Sequence, residues 1–161
     1  MSQINNKMIL NLILLFSIFA ILAAYFIQYV LGHQPCNLCL IERIPYVFSI
    51  LIISFCLFTK KFEKIVLITL SLTFLGATLL SFYHYGIEQG FIKESLVCDL
   101  DNKNGINTPE EILKELSAKT ISCKNVTFRI FGISLATLNT IISLFLSVIL
   151  FKMYLNYEKN E

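Results

Sequence analysis

Charge is scarce in this chain. Its 161 residues include 13 lysines and arginines and 11 aspartates and glutamates, against 56% hydrophobic residues, a balance too apolar for an ordinary soluble domain. Four stretches hold no charge at all: Met8 to Val30, Ile44 to Thr59, Ile65 to Tyr83 and Ile130 to Phe151. A helix crosses ~30 Å of hydrocarbon with about 20 residues, and the two shorter runs reach that length with flanking residues whose charged ends snorkel. Internal repeats and low-complexity tracts are also lacking, and a net charge of +2 points to no nucleic-acid partner. Four spans leave room only for short connections and one longer loop. That excludes a separate soluble catalytic domain, a nucleotide-binding fold and a zinc-finger array. The expectation is an all-α integral membrane protein, a four-transmembrane-helix bundle in one domain over 1–161. Its spans are expected at about 8–30, 41–59, 65–84 and 129–151, with outer loops at about 31–40 and 85–128.

The first run lies behind a single Lys7 and is longer than the 7–15 residues of a signal-peptide core. Bulky Tyr25, Phe26 and Tyr29 follow Ala23-Ala24, with no polar mature start, so the run is expected to stay as a span. Lys60, Lys61 and Lys64 cluster between spans two and three, which places that connection in the cytoplasm. An even number of spans then puts both termini on the same side, in agreement with Lys7, Lys152 and Lys159. The third connection is longer. It holds Lys93, Lys103, Lys114, Lys119, Lys124 and Arg129, balanced by acids between Glu88 and Glu115, so charge alone does not settle its side.

The cysteines supply an independent argument. Cys36 and Cys39 fall in the first outer connection, Cys98 and Cys123 in the second, and Cys56 inside span two. An even number of loop cysteines on one face suits disulfides, which persist on the oxidising side of a membrane. Cys56 reads as a small apolar core residue. The long loop also carries Thr108-Pro109-Glu110-Glu111, a helix start with Thr as N-cap and Pro at the first position. Ile112, Leu113 and Leu116 then form an apolar stripe, giving a short amphipathic helix to about Lys119 that rests on the bilayer or covers the bundle.

Chemistry concentrates in Gln34-Pro35-Cys36-Asn37-Leu38-Cys39-Leu40-Ile41-Glu42-Arg43. A C-x-x-C opening a helix gains from the unpaired N–H groups there, which stabilise thiolate. Arg43 stands four residues beyond Cys39, on the same helical face, where it can steady a thiolate or an anionic reduced acceptor. Its plain alternative is a snorkelling interfacial charge paired with Glu42 or lipid phosphate. A structural zinc cage needs all four cysteines to converge, and no histidine stands at ligand spacing; no metal is expected. A bond between Cys98 and Cys123 would close a loop worth roughly 3–4 kcal/mol in the chain-entropy model. It reads as a structural staple or, beside the C-x-x-C, as a second redox pair. His84 ends span three, with Glu88 four residues later able to orient it; it can bond a carbonyl of a bound cofactor or be an ordinary interfacial histidine. Asn139, a lone amide in span four, reads as an interhelical packing residue.

The run Q-P-C-N-L-C-L-I-E-R, a later C-D-L, a fourth cysteine and then F-G-I-S resemble the disulfide bond formation protein B family over nearly the whole chain. The resemblance implies a bacterial inner-membrane four-helix bundle with its cysteine loops in the periplasm. It implies reoxidation of a periplasmic thioredoxin-fold dithiol oxidase, with the electrons passed to a membrane quinone, ubiquinone or menaquinone. Carried over by position, Cys98 forms the mixed disulfide with the partner, Cys123 passes electrons to Cys36, and Cys39 faces the quinone beside Arg43. Two other readings stand beside it. One is a disulfide-stapled tetraspan structural protein, in which a C-x-x-C one turn from an Arg has no use. The other is a quinone reductase resembling vitamin K epoxide reductases, a family that places its C-x-x-C near the last span rather than before the second.

Overall fold

The computed structural model describes residues 2–59, 63–93, 123, 129–130 and 132–159; Cys98, Lys60, Lys61 and the expected helix from Thr108 lie outside them. The uncharged runs become long helices: α1 (Ser2–Tyr29), α3 (Ile44–Thr59), α4 (Glu63–Glu88) and α5 (Leu135–Lys159), with a one-turn α2 (Asn37–Ile41) ahead of α3. Four segments are long and apolar enough to cross a membrane, α2 and α3 together forming the second, Asn37–Thr59. Large apolar side chains point outward all along them, Phe19, Leu51, Phe58, Phe82 and Phe145 among them. Helices that are apolar all round need hydrocarbon as their solvent.

What faces inward is smaller and partly polar. Around a core of Leu10, Ile13, Ile53, Leu67, Leu70, Phe74, Leu146 and Leu150, buried serines stitch the helices. The Ser49 hydroxyl of α3 donates to Ser17 of α1 at 2.9 Å. Ser71 of α4 donates to the Ser147 carbonyl at 3.1 Å, and Ser147 of α5 donates back to the Ser71 carbonyl at 2.9 Å. Small hydroxyl residues let helices approach closely and find partners where water is absent. The bundle thus forms as two tight pairs, α1 on α3 and α4 on α5, with α3 also touching α4. Lys7 and Glu63, 3.5 Å apart, tie the start of α1 to the start of α4. Cys56 lies in the main core with Leu10, Val66 and Met153.

At the opposite end, local breaks shape the cysteine face. Pro45, second residue of α3, has no N–H to continue the ladder from α2, and Glu42-Arg43 form the turn between the two helices, with the Arg43 N–H donating to the Leu40 carbonyl at 3.2 Å. The second span therefore begins at Asn37, ahead of the expected 41. Gly90 (φ 77) closes α4, and the N–H groups of Phe91 and Ile92 turn back to the Gly86 carbonyl, a helix stop that needs the left-handed conformation. The fourth span also starts differently from the expected 129. Arg129–Ile130 pairs antiparallel with Ile133–Ser134 as a two-stranded hairpin, β1-β2, through Gly132 (φ 83). Lack of charge extended the apolar run back to Ile130, but a glycine-turned hairpin replaces its first turn. The Ser134 hydroxyl then accepts from the Thr137 N–H at 3.2 Å as N-cap of α5.

Candidate functional site

Cys36 is the N-cap of α2, and its sulfur accepts from the Cys39 N–H at 3.3 Å. The two thiol sulfurs are 2.8 Å apart, so a disulfide requires only a small further approach. Hydrogen bonding from the Cys39 thiol lowers the Cys36 pKa to about 5; burial opposes this, and His84 adds to the lowering through a hydrogen bond and its charge. With only five residues in α2, these individual partners rather than a long helix dipole make Cys36 the thiolate of the pair.

His84, in the last turns of α4 and 1% exposed, meets the pair from across the bundle. Its Nε2 faces the Cys36 sulfur at 3.5 Å, and its Nδ1–H donates to Glu42 Oε1 at 2.7 Å. Glu42 is buried as well, and its second oxygen accepts from Asn139 Nδ2 at 2.8 Å. That amide also donates to Ser81 at 2.7 Å, while its oxygen accepts from the Tyr46 hydroxyl at 2.6 Å. The Tyr46 contact fixes which way the amide points, the amide fixes the carboxylate, and the carboxylate fixes the imidazole on Cys36. A buried carboxylate in a membrane helix is costly unless it is partnered in this way.

Sequence reasoning missed most of this chain. The sequence makes Glu42 only a surface partner of Arg43 and Asn139 only a packing residue, and it marks Tyr46 with no role. A carboxylate between apolar residues, together with a single amide at membrane depth, was the available signal. His84, expected at the cofactor, has both ring nitrogens directed at protein partners. Glu88, expected to orient it, leaves that task to Glu42 and lies 3.8 Å from Nε2. The sulfurs of Cys36 and Cys39 and a His84 nitrogen lie within 4.8 Å of one another. Helix packing, invisible to spacing, therefore brings to the cysteine pair a histidine that stands at no ligand spacing in the sequence; among the described residues this group offers three donors.

Arg43 turns toward α1. Its guanidinium donates to Gln28 Oε1 at 2.7 Å and lies over the Tyr25 ring, 5.1 Å from its centre. It nevertheless shares a cavity with Cys39. That cavity, about 340 Å³, runs between α1 and α5, walled by Phe16, Ala20, Ala24, Ala136 and Ile142 and ended by Cys36, Cys39, His84 and Cys123. Because α1 packs on α3 and α5 packs on α4, the α1/α5 seam is left for the cavity. Cys123 is buried and disulfide-bonded, and it packs in one apolar cluster with Cys36, Leu38 and Ile87. Of the four expected site cysteines, three are thus brought together; Cys98 lies outside the described residues.

A relative from Rickettsia prowazekii (strain Madrid E), itself uncharacterised, is 32% identical, the match covering 89% of this chain and 87% of the relative. No solved structure matches the chain. The family described as disulfide bond formation protein DsbB matches residues 6–153, a range that reaches into all four spans and takes in every cysteine. A close dithiol at the end of a four-helix membrane bundle and a match of that extent agree: this is a disulfide-generating membrane oxidoreductase, and the chain belongs to the DsbB family.

Proposed function

We propose that this protein reoxidises a periplasmic thioredoxin-fold dithiol oxidase and delivers the electrons to a membrane quinone. One observation carries the reading: the Cys36/Cys39 pair, in contact with His84, closes an apolar cavity between membrane helices, with disulfide-bonded Cys123 packed against it. Topology follows the lysines, with Lys7, Lys64 and Lys152 on the cytoplasmic side and the cysteine end in the oxidising compartment.

Exchange conserves electrons at each step. A partner thiolate attacks Cys98, forming a mixed disulfide, and Cys123 leaves as a thiolate. Cys123 attacks Cys36 of the oxidised pair, and Cys39 leaves. The partner's second thiol then releases the partner as a disulfide. The freed Cys98 thiol resolves the Cys36–Cys123 bond, restoring its own disulfide and leaving Cys36 and Cys39 reduced. His84 favours Cys36 as the leaving thiolate in this last step, and Glu42 holds the imidazole in place.

The residues fit a quinone. Small alanines and flat aromatic walls suit a planar apolar ring, and Arg43 is positioned to meet a polar oxygen at the rim. A bound quinone supplies a two-electron, two-proton sink. Arg43 would hold it by charge-assisted hydrogen bonding, with Cys39 on the same cavity wall, and Phe16, Ala20 and Ile142 would keep water out. The test is turnover of purified protein with a reduced thioredoxin-fold oxidase and a soluble quinone. Wild type should cycle, and Cys36→Ser and Cys39→Ser should reduce no quinone while still forming a partner adduct at Cys98. Normal quinone turnover in either variant would refute the assignment.

A further inference from the structure

Among the described residues, Glu88 is an acid with a buried side chain at the cysteine end that this chemistry has not used. It is the last residue of α4, its side chain is only 6% exposed, and it lines the cavity that Cys36 and Cys39 close. Glu42 has both oxygens engaged, whereas Glu88 has an Oε2 that is buried with no hydrogen-bond partner. An unsatisfied buried carboxylate oxygen costs about 1–3 kcal/mol or more and calls for an explanation in the chemistry around it. Its other oxygen lies 3.8 Å from His84 Nε2, the same nitrogen that faces the Cys36 sulfur at 3.5 Å. A proton on that nitrogen therefore has two destinations, the sulfur and the carboxylate.

The proton count shows what such a group is for. Oxidising the pair forms one S–S bond and sends two electrons to the acceptor, which as a quinone also takes up two protons. Cys39 carries one of those protons as a thiol. Cys36 is ionised near neutral pH beside a His84 that is already a cation paired with Glu42, so the second proton has to be kept on another group or drawn from water. We propose that Glu88, acting through His84, holds the proton that Cys36 gives up and returns it through the cavity when the pair is oxidised. The proposal rests on the quinone reading only for the fate of the proton; its storage beside the reduced pair is a property of the protein alone.

Among the described residues, the titratable or charged groups around Glu88 are His84 on its own helix, then Cys36, Cys39, Glu42, Arg43 and Tyr46, with His33 on the same cavity wall. From the hairpin and α5 come Ser134, which lies beside Glu88, with Arg129 its cross-strand partner, and Asn139. No lysine borders the cavity to compete for the role.

The test uses the full-length protein without quinone. The midpoint potential of the Cys36–Cys39 pair is measured in thiol–disulfide buffers across neutral pH, scored by the mass of the alkylated Cys36–Cys39 peptide. In wild type, two protons should accompany two electrons. In Glu88→Gln the slope of potential against pH should be halved, because only the Cys39 proton follows. Glu88→Asp, which keeps the acid, should restore the wild-type slope. An unchanged slope in Glu88→Gln, or a halved slope already in wild type, overturns the proposal. A purely structural role would alter stability or yield without touching the slope. Because no quinone is present, failure of quinone turnover would sink the functional reading and leave this result standing, and the converse also holds.

Discussion

Cys36 and Arg43 carry the predictions that belong to single side chains. With its pKa lowered from an ordinary 9.0 to about 5, Cys36 in the reduced protein stays a thiolate between those values. Its alkylation rate should be nearly flat from pH 9 down to about 6 and fall only below that. His84→Ala removes both a hydrogen bond and a nearby positive charge, so the midpoint should move upward toward the ordinary thiol value. A wild-type alkylation midpoint near 9 would contradict the geometry. Arg43→Ala should raise the quinone KM on the order of tenfold or more, as expected for losing a charge-assisted hydrogen bond, while partner exchange at Cys98 is unchanged. Arg43→Lys should recover part of it, because an ammonium lacks the planar fork. If Arg43→Ala lowered only membrane insertion or yield, Arg43 would be a snorkelling residue. Spacing alone placed Arg43 on the Cys39 face. The helix break at Glu42-Arg43 rotates it toward Gln28 and Tyr25 instead, and no motif spacing encodes that rotation.

At the scale of elements, the site is a junction of three segments held by one amide. Asn139 of α5 reaches Glu42 beyond α2, Ser81 of α4 and Tyr46 of α3. Asn139→Leu, close in size but unable to bond, should cost about 1–3 kcal/mol for the groups left unpaired, and it should loosen His84 enough to shift the Cys36 alkylation profile upward. Thermal unfolding in detergent reads the first effect and pH-dependent alkylation the second; an unaltered profile would detach the amide from the site. The four spans were legible because absence of charge over about 20 residues has a single physical solution in a bilayer. Their ends were less so. Pro45 and Gly132 set where α3 and α5 begin, and the hairpin before α5 hides inside an uncharged run. The polar chain was illegible for another reason: Glu42, His84 and Asn139 are far apart in sequence, and only the packing of α3 and α5 on α4 brings them together.

Among the described residues, the bundle holds a cavity along the α1/α5 seam and ends it with thiols. Ala24→Phe, placed in the α1 wall of the cavity, should narrow it and raise the quinone KM while leaving exchange with the dithiol partner intact, which steady-state kinetics against each substrate separately would show. The central claim is that one pair, Cys36 and Cys39, stands between a protein dithiol and a membrane quinone. The most direct measurement traps thiols by rapid alkylation and reads the Cys36–Cys39 peptide mass in three states: oxidised protein, protein after a reduced thioredoxin-fold oxidase, and the same sample after quinone. The account predicts a disulfide, then two thiols, then a disulfide again. A Cys36–Cys39 pair that stays reduced after quinone, or stays oxidised in the presence of the dithiol, would contradict it.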